Sequence, residues 1–183
     1  MISEERFLTG KPYNDFLENA DGYAELYEHH YKRALVREQD LDFLNELKNL
    51  NILVLTELKC PDSVTVLPVV QKWIKSFDNI KMRILERDQN LDIMDNYLTN
   101  GGRAIPKFIF YDQTFHEVGS WGPRPADIQA VYEKHRQHIK EGKIDKTEVH
   151  KKMRQMYARE RGRSIIREIS ALLENNPVLK NKK

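Results

Sequence analysis

The chain has 183 residues, of which 40% are hydrophobic, so it is long and apolar enough for one globular domain with extensions. One cysteine excludes an intramolecular disulfide, and the sequence shows no signal peptide, so we expect a cytoplasmic protein. No apolar run approaches the ~20 residues that cross a bilayer, so we expect no membrane span. The net charge of +2 combines an acidic front, with 15 Lys and Arg against 22 Asp and Glu in residues 1–133, and a basic tail, with 15 against 6 in residues 134–183.

Two amphipathic segments precede the first predicted strand. Apolar residues at spacings of three and four predict one or two helices over 13–33 and another over about 39–49. His29 and His30 are adjacent, and neighbours on a helix point in different directions, so we interpret them as exposed side chains and not as a metal site. We assign residues 1–50 to an N-terminal helical segment packed on the core.

The chain's single cysteine lies between a strand and a helix. The apolar run predicts a strand over 52–57, and Pro61 suits the first position of a helix that we place at about 62–76, with a kink at Pro68. The free N–H groups and the dipole at a helix N-terminus favour a thiolate over a thiol. Cys60 is therefore a candidate nucleophile, although a lone cysteine is also commonly a small buried apolar residue.

The middle of the chain alternates strands and helices. We predict the following elements: strand 80–85, a short helix at about 91–98, strand 108–111, a turn at Asp112-Gln113, strand 114–119 and a helix from about 125 to 138. Pro106 directly precedes a strand, and an X–Pro linkage is the one at which a cis peptide costs little, so we predict that Ile105-Pro106 is cis. His135 and His138 are three residues apart but lack a third ligand, so no metal site is predicted.

The basic tail predicts a helix over 146–173 with nine large apolar residues, bent or broken near Gly162. So many apolar side chains should be covered by the acidic front of the chain or by a second subunit. We therefore assign 141–183 to a basic C-terminal helical extension and consider a homodimer through it. A nucleic-acid-associated protein that uses this basic tail is a further, less favoured hypothesis, which only the charge asymmetry supports.

Several motifs resemble those of the thioredoxin-like superfamily. Cys60-Pro61-Asp62-Ser63 resembles its Cys-x-x-Cys motif with the second cysteine replaced by serine, and G-G-R-A-I-P, ending at Pro106, resembles the stretch before its cis-proline. Val118-Gly119 resembles the final strand, and Arg87-Asp88 and W-G-P-R-P resemble a group of bacterial thioredoxin-like proteins with a Cys-x-Asp-Ser variant. The resemblance implies an α/β fold with a central mixed sheet of about four strands flanked by helices and a core at 51–140.

Two positions depart from the thioredoxin pattern. Val54 stands where thioredoxins carry a buried aspartate six residues before the cysteine, so that proton relay is absent. Ser63 cannot attack a mixed disulfide, although we expect its hydroxyl to donate a hydrogen bond to the Cys60 sulfur. Asp62 disfavours a neighbouring thiolate, while its charge suits a helix N-terminus.

The resemblance leads to two functional hypotheses. The first is a monothiol thiol–disulfide oxidoreductase, whose mixed disulfides with a protein or a low-molecular-weight thiol are resolved by an external thiol. The alternative is a non-catalytic module that binds an extended peptide or a small thiol. The candidate catalytic residues are Cys60, Ser63 and Pro106, and the candidate substrate-binding residues are Pro61, Asp62, Arg103, Ile105, Trp121 and Arg124.

Three of these residues have a specific expected role in binding. Trp121 would form an apolar wall, and the two arginines, Arg103 and Arg124, would hold substrate carboxylates. Neither hypothesis calls for a cofactor or a metal.

Overall fold

A computed structural model describes residues 2–20 and 22–179. Its centre is a four-stranded sheet in the order β2-β1-β3-β4, in which β1 pairs parallel with β2 and antiparallel with β3, and β3 pairs antiparallel with β4. The strands are β1 (Leu50–Thr56), β2 (Ile80–Glu86), β3 (Lys107–Tyr111) and β4 (Glu117–Trp121). Helices flank this sheet, which confirms the predicted α/β class.

The helices follow the chain order that the sequence predicts, with differences at their ends. They are α1 (Glu4–Leu8), α2 (Tyr13–Leu17), α3 (Ala24–Arg33), α4 (Glu38–Asn45), α5 (Pro61–Ile74), α6 (Leu91–Met94), α7 (Ala126–Lys140), α8 (Lys146–Glu160) and α9 (Arg163–Glu174). Short 3₁₀ turns lie at Arg87–Gln89 and Pro177–Leu179. The sequence did not predict α1, and α6 is shorter than expected.

The last strand begins later than predicted because of a turn built on Asp112. The Asp112 carboxylate accepts hydrogen bonds from the backbone N–H groups of Thr114 at 2.8 Å and His116 at 3.1 Å. These bonds give residues 112–116 an alternative to strand pairing, as aspartate side chains often do. The predicted strand over 114–119 is therefore wrong at its start, and β4 begins at Glu117.

Strand β1 is buried on both faces, which explains its continuous apolar sequence. Ile52 and Val54 belong to the larger of two apolar clusters, together with side chains from α3, α4, α5 and α9. Leu53 and Leu55 belong to a smaller cluster on the other face, with Phe7 of α1 among its members. Because successive side chains of a strand point to opposite faces, one strand organises both cores.

Helix α5 continues through Pro68 to Ile74 rather than ending at the proline. Most of its side chains are buried, including Val64, Leu67 and Trp73. A proline inside a helix loses one backbone hydrogen bond. Burial of this apolar helix against the sheet compensates for that loss and fixes the strand-to-helix junction at Cys60.

The predicted helix over 146–173 is divided into α8 and α9, consistent with the expected bend or break near Gly162. Arg161 and Gly162 both have left-handed backbone conformations, with φ of 51° and 92°. A Cβ atom on Gly162 would lie 2.5 Å from a methyl carbon of Val69, so glycine allows this turn to lie directly against α5.

The apolar stripe of α9 is buried within the same chain. Ile165, Ile166, Ile169 and Leu173 all belong to the larger apolar cluster. The tail therefore docks on its own domain, and this stripe does not require a second subunit to cover it.

Backbone hydrogen bonds join the N-terminal and C-terminal segments. The Leu35 N–H donates to the Arg161 carbonyl, and the Lys48 N–H donates to the Leu179 carbonyl, both at 2.8 Å. The three segments assigned from the sequence thus contribute to one packed unit. No helix in the described part of the chain is long and apolar enough to cross a membrane.

Candidate functional site

Cys60 is the N-cap residue of α5. Its backbone is extended, with φ −75° and ψ 120°, and its carbonyl accepts the N–H of Val64 at 3.0 Å as the helix begins. The side chain is partly exposed, and its Sγ donates a hydrogen bond to the carbonyl oxygen of Ile105 at 3.5 Å. The thiol therefore lies at a helix N-terminus and faces the loop that precedes β3.

That loop contains a cis peptide bond between Ile105 and Pro106, and both residues are buried. A second cis bond, which the sequence analysis did not anticipate, joins Gly122 and Pro123. Gly122 has a φ of 118°, and a Cβ on it would lie 2.2 Å from the Pro106 carbonyl oxygen. Only glycine lets the loop after β4 approach the Ile105-Pro106 loop this closely.

Lys107 joins the same two loops from a buried position. Its ammonium group donates to the Thr99 hydroxyl and to the Gly122 carbonyl, both at 3.0 Å. Burial lowers the pKa of Lys107, because removal from water disfavours the charged form. The lysine is thus an internal brace between the two loops.

Asp62, two residues after Cys60, forms an ion pair with Arg124. The closest N–O distance is 2.7 Å, and the side chains are only 13% and 12% exposed. Arg124 also lies over the ring of Tyr132, and Tyr157 donates its hydroxyl to the Asp62 carboxylate at 3.3 Å. Arg124 is therefore not a free carboxylate site, because its guanidinium already holds Asp62.

Arg103 is also paired within the chain. Its guanidinium forms two hydrogen bonds with the Asp95 carboxylate, at 2.6 and 2.9 Å. The pair is about half exposed, so a ligand could compete for it, but Arg103 is not a free carboxylate site.

Ser63 does not have the predicted role toward the sulfur. It is fully buried, and its hydrogen bond in the structure is with the hydroxyl of Thr56 in β1. Because the first turn of α5 points Ser63 into the core, its hydroxyl ties the helix to the sheet instead of contacting Cys60.

Trp121 contacts α9 rather than the space beside Cys60. Its indole N–H donates to one carboxylate oxygen of Glu168 at 2.9 Å, and the other oxygen accepts the N–H of Ala126 at the start of α7. The ring packs near Phe108 in the larger cluster. The predicted apolar wall at Trp121 is therefore wrong, since this side chain holds the C-terminal helix in place.

A cleft of about 410 Å³ opens beside Cys60, within the size range of small-molecule sites. The predicted residues that line it are Cys60, Pro61, Asp62, Arg103, Ile105 and Arg124. Ser63, Pro106 and Trp121 are not among its lining residues. The structure thus brings most of the predicted substrate-binding residues together around the thiol.

One wall of this cleft comes from α8, which the sequence analysis did not connect to the site. Its lining residues on that helix are Lys146, His150, Met153, Arg154 and Tyr157. Their spacing of three and four residues places them on one helix face, and that spacing is the signal by which they could have been found. Burial and the nearby charge of Lys146 lower the pKa of His150, so this imidazole is neutral at neutral pH.

No group of three or more His, Cys, Asp or Glu residues within 2–20 and 22–179 is arranged to hold a metal ion.

Comparison with known proteins places this architecture in a family. Among curated proteins none matches the chain. A crystal structure of a protein of unknown function from Pseudomonas aeruginosa is similar over 95% of this chain and 98% of its own, with 20% identity and a TM-score of 0.66. An HIV epitope scaffold is similar over 96% of this chain and 99% of its own, with 18% identity and a TM-score of 0.68.

At these identities the two structures show a shared fold, which includes the helical extensions. A family model described as thioredoxin matches residues 10–140, which is most of the chain and includes Cys60 and Pro106. The chain therefore belongs to the thioredoxin family.

Proposed function

We propose that this protein is a monothiol thiol–disulfide oxidoreductase. The observation that carries the proposal is the position of Cys60, partly exposed at the N-terminus of α5, facing the Ile105-Pro106 loop across a 3.5 Å hydrogen bond and opening into a cleft. A helix N-terminus stabilises negative charge on sulfur, and a cleft beside it admits a substrate. The setting is that of a reactive cysteine rather than a core residue.

The reaction would proceed in two thiol exchanges. The Cys60 thiolate attacks one sulfur of a substrate disulfide, forming a new S–S bond to that half while the other half leaves as a thiolate and takes up a proton. An external thiol, as its thiolate, then attacks the substrate sulfur of this mixed disulfide. The Cys60 thiolate leaves, and the substrate half departs joined to the external thiol.

The second exchange requires an external thiol because Ser63 has no sulfur and is buried against Thr56. Such a thiol is plentiful in a reducing compartment, so we place the reaction in the cytoplasm. Ile105, on the cleft wall that faces the thiol, would hold the substrate extended beside the sulfur. The reaction needs no cofactor.

The ion pair between Asp62 and Arg124 supports this chemistry electrostatically. A bare carboxylate two residues from the sulfur would disfavour a thiolate. Here the guanidinium of Arg124 balances the Asp62 charge at 2.7 Å. The positive helix N-terminus can therefore stabilise a negative charge on Cys60 without opposition from a bare carboxylate.

The alternative function is a binding module without turnover, and one contact favours it. The Cys60 Sγ–H donates to the Ile105 carbonyl, so the sulfur already has a hydrogen-bond partner within the chain. In that case the cleft would bind an extended peptide or a small thiol with no exchange of bonds.

Mixed-disulfide formation distinguishes the two functions. We expect purified protein incubated with glutathione disulfide at neutral pH to form a covalent adduct, seen by intact-mass spectrometry, and Cys60→Ser to form none. If no adduct forms over hours, the oxidoreductase proposal should be abandoned for the binding module.

Adding a second thiol at position 63 tests the requirement for external resolution. Reduction of insulin disulfides by dithiol chemistry should be near background in the native protein and should increase in Ser63→Cys. Ser63→Ala provides the matched control, because it removes the same hydroxyl without adding a sulfur. An increase in both variants would show that the gain comes from loosened packing and not from resolution.

A further inference from the structure

We infer that α8 is the recognition wall of the Cys60 cleft and selects a negatively charged thiol or disulfide, one that carries carboxylates, through Lys146 and Arg154. This inference rests on the proposed oxidoreductase function and names its substrate class. It concerns residues beyond the matched family segment, which ends at residue 140.

The charges lining the cleft are unbalanced. Six Lys and Arg side chains line it, namely Arg87, Arg103, Arg124, Arg136, Lys146 and Arg154, against the two carboxylates of Asp62 and Glu133. Two further carboxylates, Asp88 and Asp95, lie just outside the lining and pair with two of these cations. With them included, the cleft still has two more positive than negative charges.

Ion pairing within the chain shows where that excess lies. Four of the cations have a carboxylate partner: Arg87 with Asp88 at 2.8 Å, Arg103 with Asp95 at 2.6 Å, Arg124 with Asp62 at 2.7 Å and Arg136 with Glu133 at 3.6 Å. In the described part of the chain, Lys146 and Arg154 are in no ion pair of 4.0 Å or less and in no hydrogen bond. Among the described residues, the two cleft cations without an ion-pair partner are both on α8.

The geometry of α8 directs these two charges to the same side as the sulfur. Lys146 and Arg154 are eight residues apart, two turns of helix, so both lie on one face. Met153 and Tyr157 line the cleft from the same helix, and both are buried and hold α8 on the domain. The hydroxyl of Tyr157 reaches Asp62, which ties this face of α8 directly to the residues after Cys60.

An anionic substrate fits these features better than a neutral or a cationic one. Two unpaired cations on a cleft wall concentrate negative ligands near the thiol. Guanidinium and ammonium groups bind carboxylates through charge-assisted hydrogen bonds. The cleft volume of about 410 Å³ suits a molecule of small-peptide size.

The experiment compares three small disulfides that differ in charge: 3,3′-dithiodipropionate, which is anionic; 2-hydroxyethyl disulfide, which is neutral; and cystamine, which is cationic. The rate of mixed-disulfide formation at Cys60 is measured for each by acid quenching and intact-mass spectrometry. We expect the order anionic, neutral, cationic, with the anionic preference falling as salt is added.

The variant Lys146→Gln/Arg154→Gln should reduce the rate for dithiodipropionate by roughly tenfold and leave the rate for the neutral disulfide within about twofold. The matched control is Lys151→Gln/Lys152→Gln, which removes the same charge from exposed positions of α8 outside the cleft. The control should keep the anionic preference. Melting temperatures of both variants verify that each is folded.

Binding of a non-reactive anion separates this inference from the proposed function. S-methylglutathione cannot exchange disulfides, and its dissociation constant is measured by isothermal titration calorimetry. Weaker binding to Lys146→Gln/Arg154→Gln than to the native protein and the control supports the recognition wall even if no disulfide reacts with Cys60. Equal binding, or equal rate ratios for the three disulfides in the native protein and the cleft variant, would overturn it.

Discussion

Asp62 and Arg124 form a largely buried ion pair beside Cys60, with side chains that are 13% and 12% exposed. Removing one partner of a buried pair leaves an uncompensated charge, which costs more than removing both. Tyr132 under the guanidinium and Tyr157 on the carboxylate hold the pair in place. At the scale of single residues, this pair sets both local stability and the electrostatic surroundings of the thiol.

The variant Arg124→Gln should therefore lose about 2–3 kcal/mol of unfolding free energy and slow the reaction of Cys60 with iodoacetamide at neutral pH, because the Asp62 carboxylate is then unbalanced. Urea denaturation and alkylation kinetics measure the two effects. The double variant Asp62→Asn/Arg124→Gln should recover most of both. Native alkylation rates in the single variant would contradict an electrostatic role for the pair.

Stability should depend on pH through Lys107, because burial lowers the pKa of this lysine in the folded protein. Between that lowered value and about 10.4, the unfolded chain binds more protons at this position than the folded chain, so the lysine's contribution to stability rises with pH. Native protein should thus gain stability relative to Lys107→Met as the pH rises toward about 10.4.

Thermal unfolding of both proteins across this range gives the difference. Lys151→Met, at an exposed site, is the control and should show no such slope relative to the native protein. A stability difference between native protein and Lys107→Met that stays constant with pH would show that Lys107 titrates normally.

At the scale of elements, the turn between α8 and α9 places the two tail helices in different roles. Helix α8 lies along the cleft, whereas α9 packs its apolar stripe into the core. The turn itself lies against Val69 of α5, where only the absence of a side chain at Gly162 leaves room. This close approach fixes α8 relative to the helix that carries Cys60.

The variant Gly162→Ala should lose about 2–4 kcal/mol of unfolding free energy, because it combines an unfavourable positive φ with a clash at 2.5 Å. Gly142→Ala is the control, since Gly142 has a φ of 70° but no atom within 4 Å of the added Cβ. That control should lose only about 1–2 kcal/mol, from the backbone term alone. Chemical denaturation that gives equal losses for the two variants would refute the packing argument.

On the scale of the whole molecule, the N-terminal segment, the sheet and the tail share the larger apolar cluster. Tyr27 of α3, Val54 of β1 and Ile169 of α9 are all completely buried in it. Backbone hydrogen bonds from Leu35 to Arg161 and from Lys48 to Leu179 join the two ends of the chain. We therefore expect the three segments to unfold together.

The variant Ile169→Ala tests this cooperativity. It should lose about 2–4 kcal/mol through the cavity it leaves, and far-ultraviolet circular dichroism and tryptophan fluorescence should report the same single transition. Arg167→Ala, an exposed neighbour on α9, should change stability by less than about 0.5 kcal/mol. Separate transitions from the two probes would mean that the tail melts independently of the core.

Local patterns in the sequence determined most of the fold. Continuous apolar residues in β1, alternation in β2 and helical spacing in α5 identify these elements because each pattern reports which faces are buried. The motif around Cys60 and the X–Pro step at Pro106 likewise pointed to the two halves of the site. Chain order then brings the start of α5 next to the loop before β3, as the thioredoxin resemblance implied.

The partners of charged and polar side chains were not determined locally. Arg124 and Asp62 are 62 residues apart, Trp121 and Glu168 are 47 apart, and Tyr157 is 95 residues from Asp62. An arginine at a cleft looks the same in sequence whether it is free or paired, since its partner depends on distant packing. For this reason the sequence did not show that Arg124 is already paired with Asp62, or that Trp121 is bonded to Glu168 outside the cleft lining.

The sequence by itself determined that a cysteine starts a helix, that an X–Pro step precedes a buried strand, and that an apolar tail must be covered. Only the tertiary structure decided that α9 is covered by the chain's own core, that Ser63 pairs with Thr56, and that α8 presents two unpaired cations beside the thiol. The physical reason is that burial patterns repeat over a few residues along a helix or a strand. Ion pairs and cleft walls instead depend on where whole elements come to rest against one another.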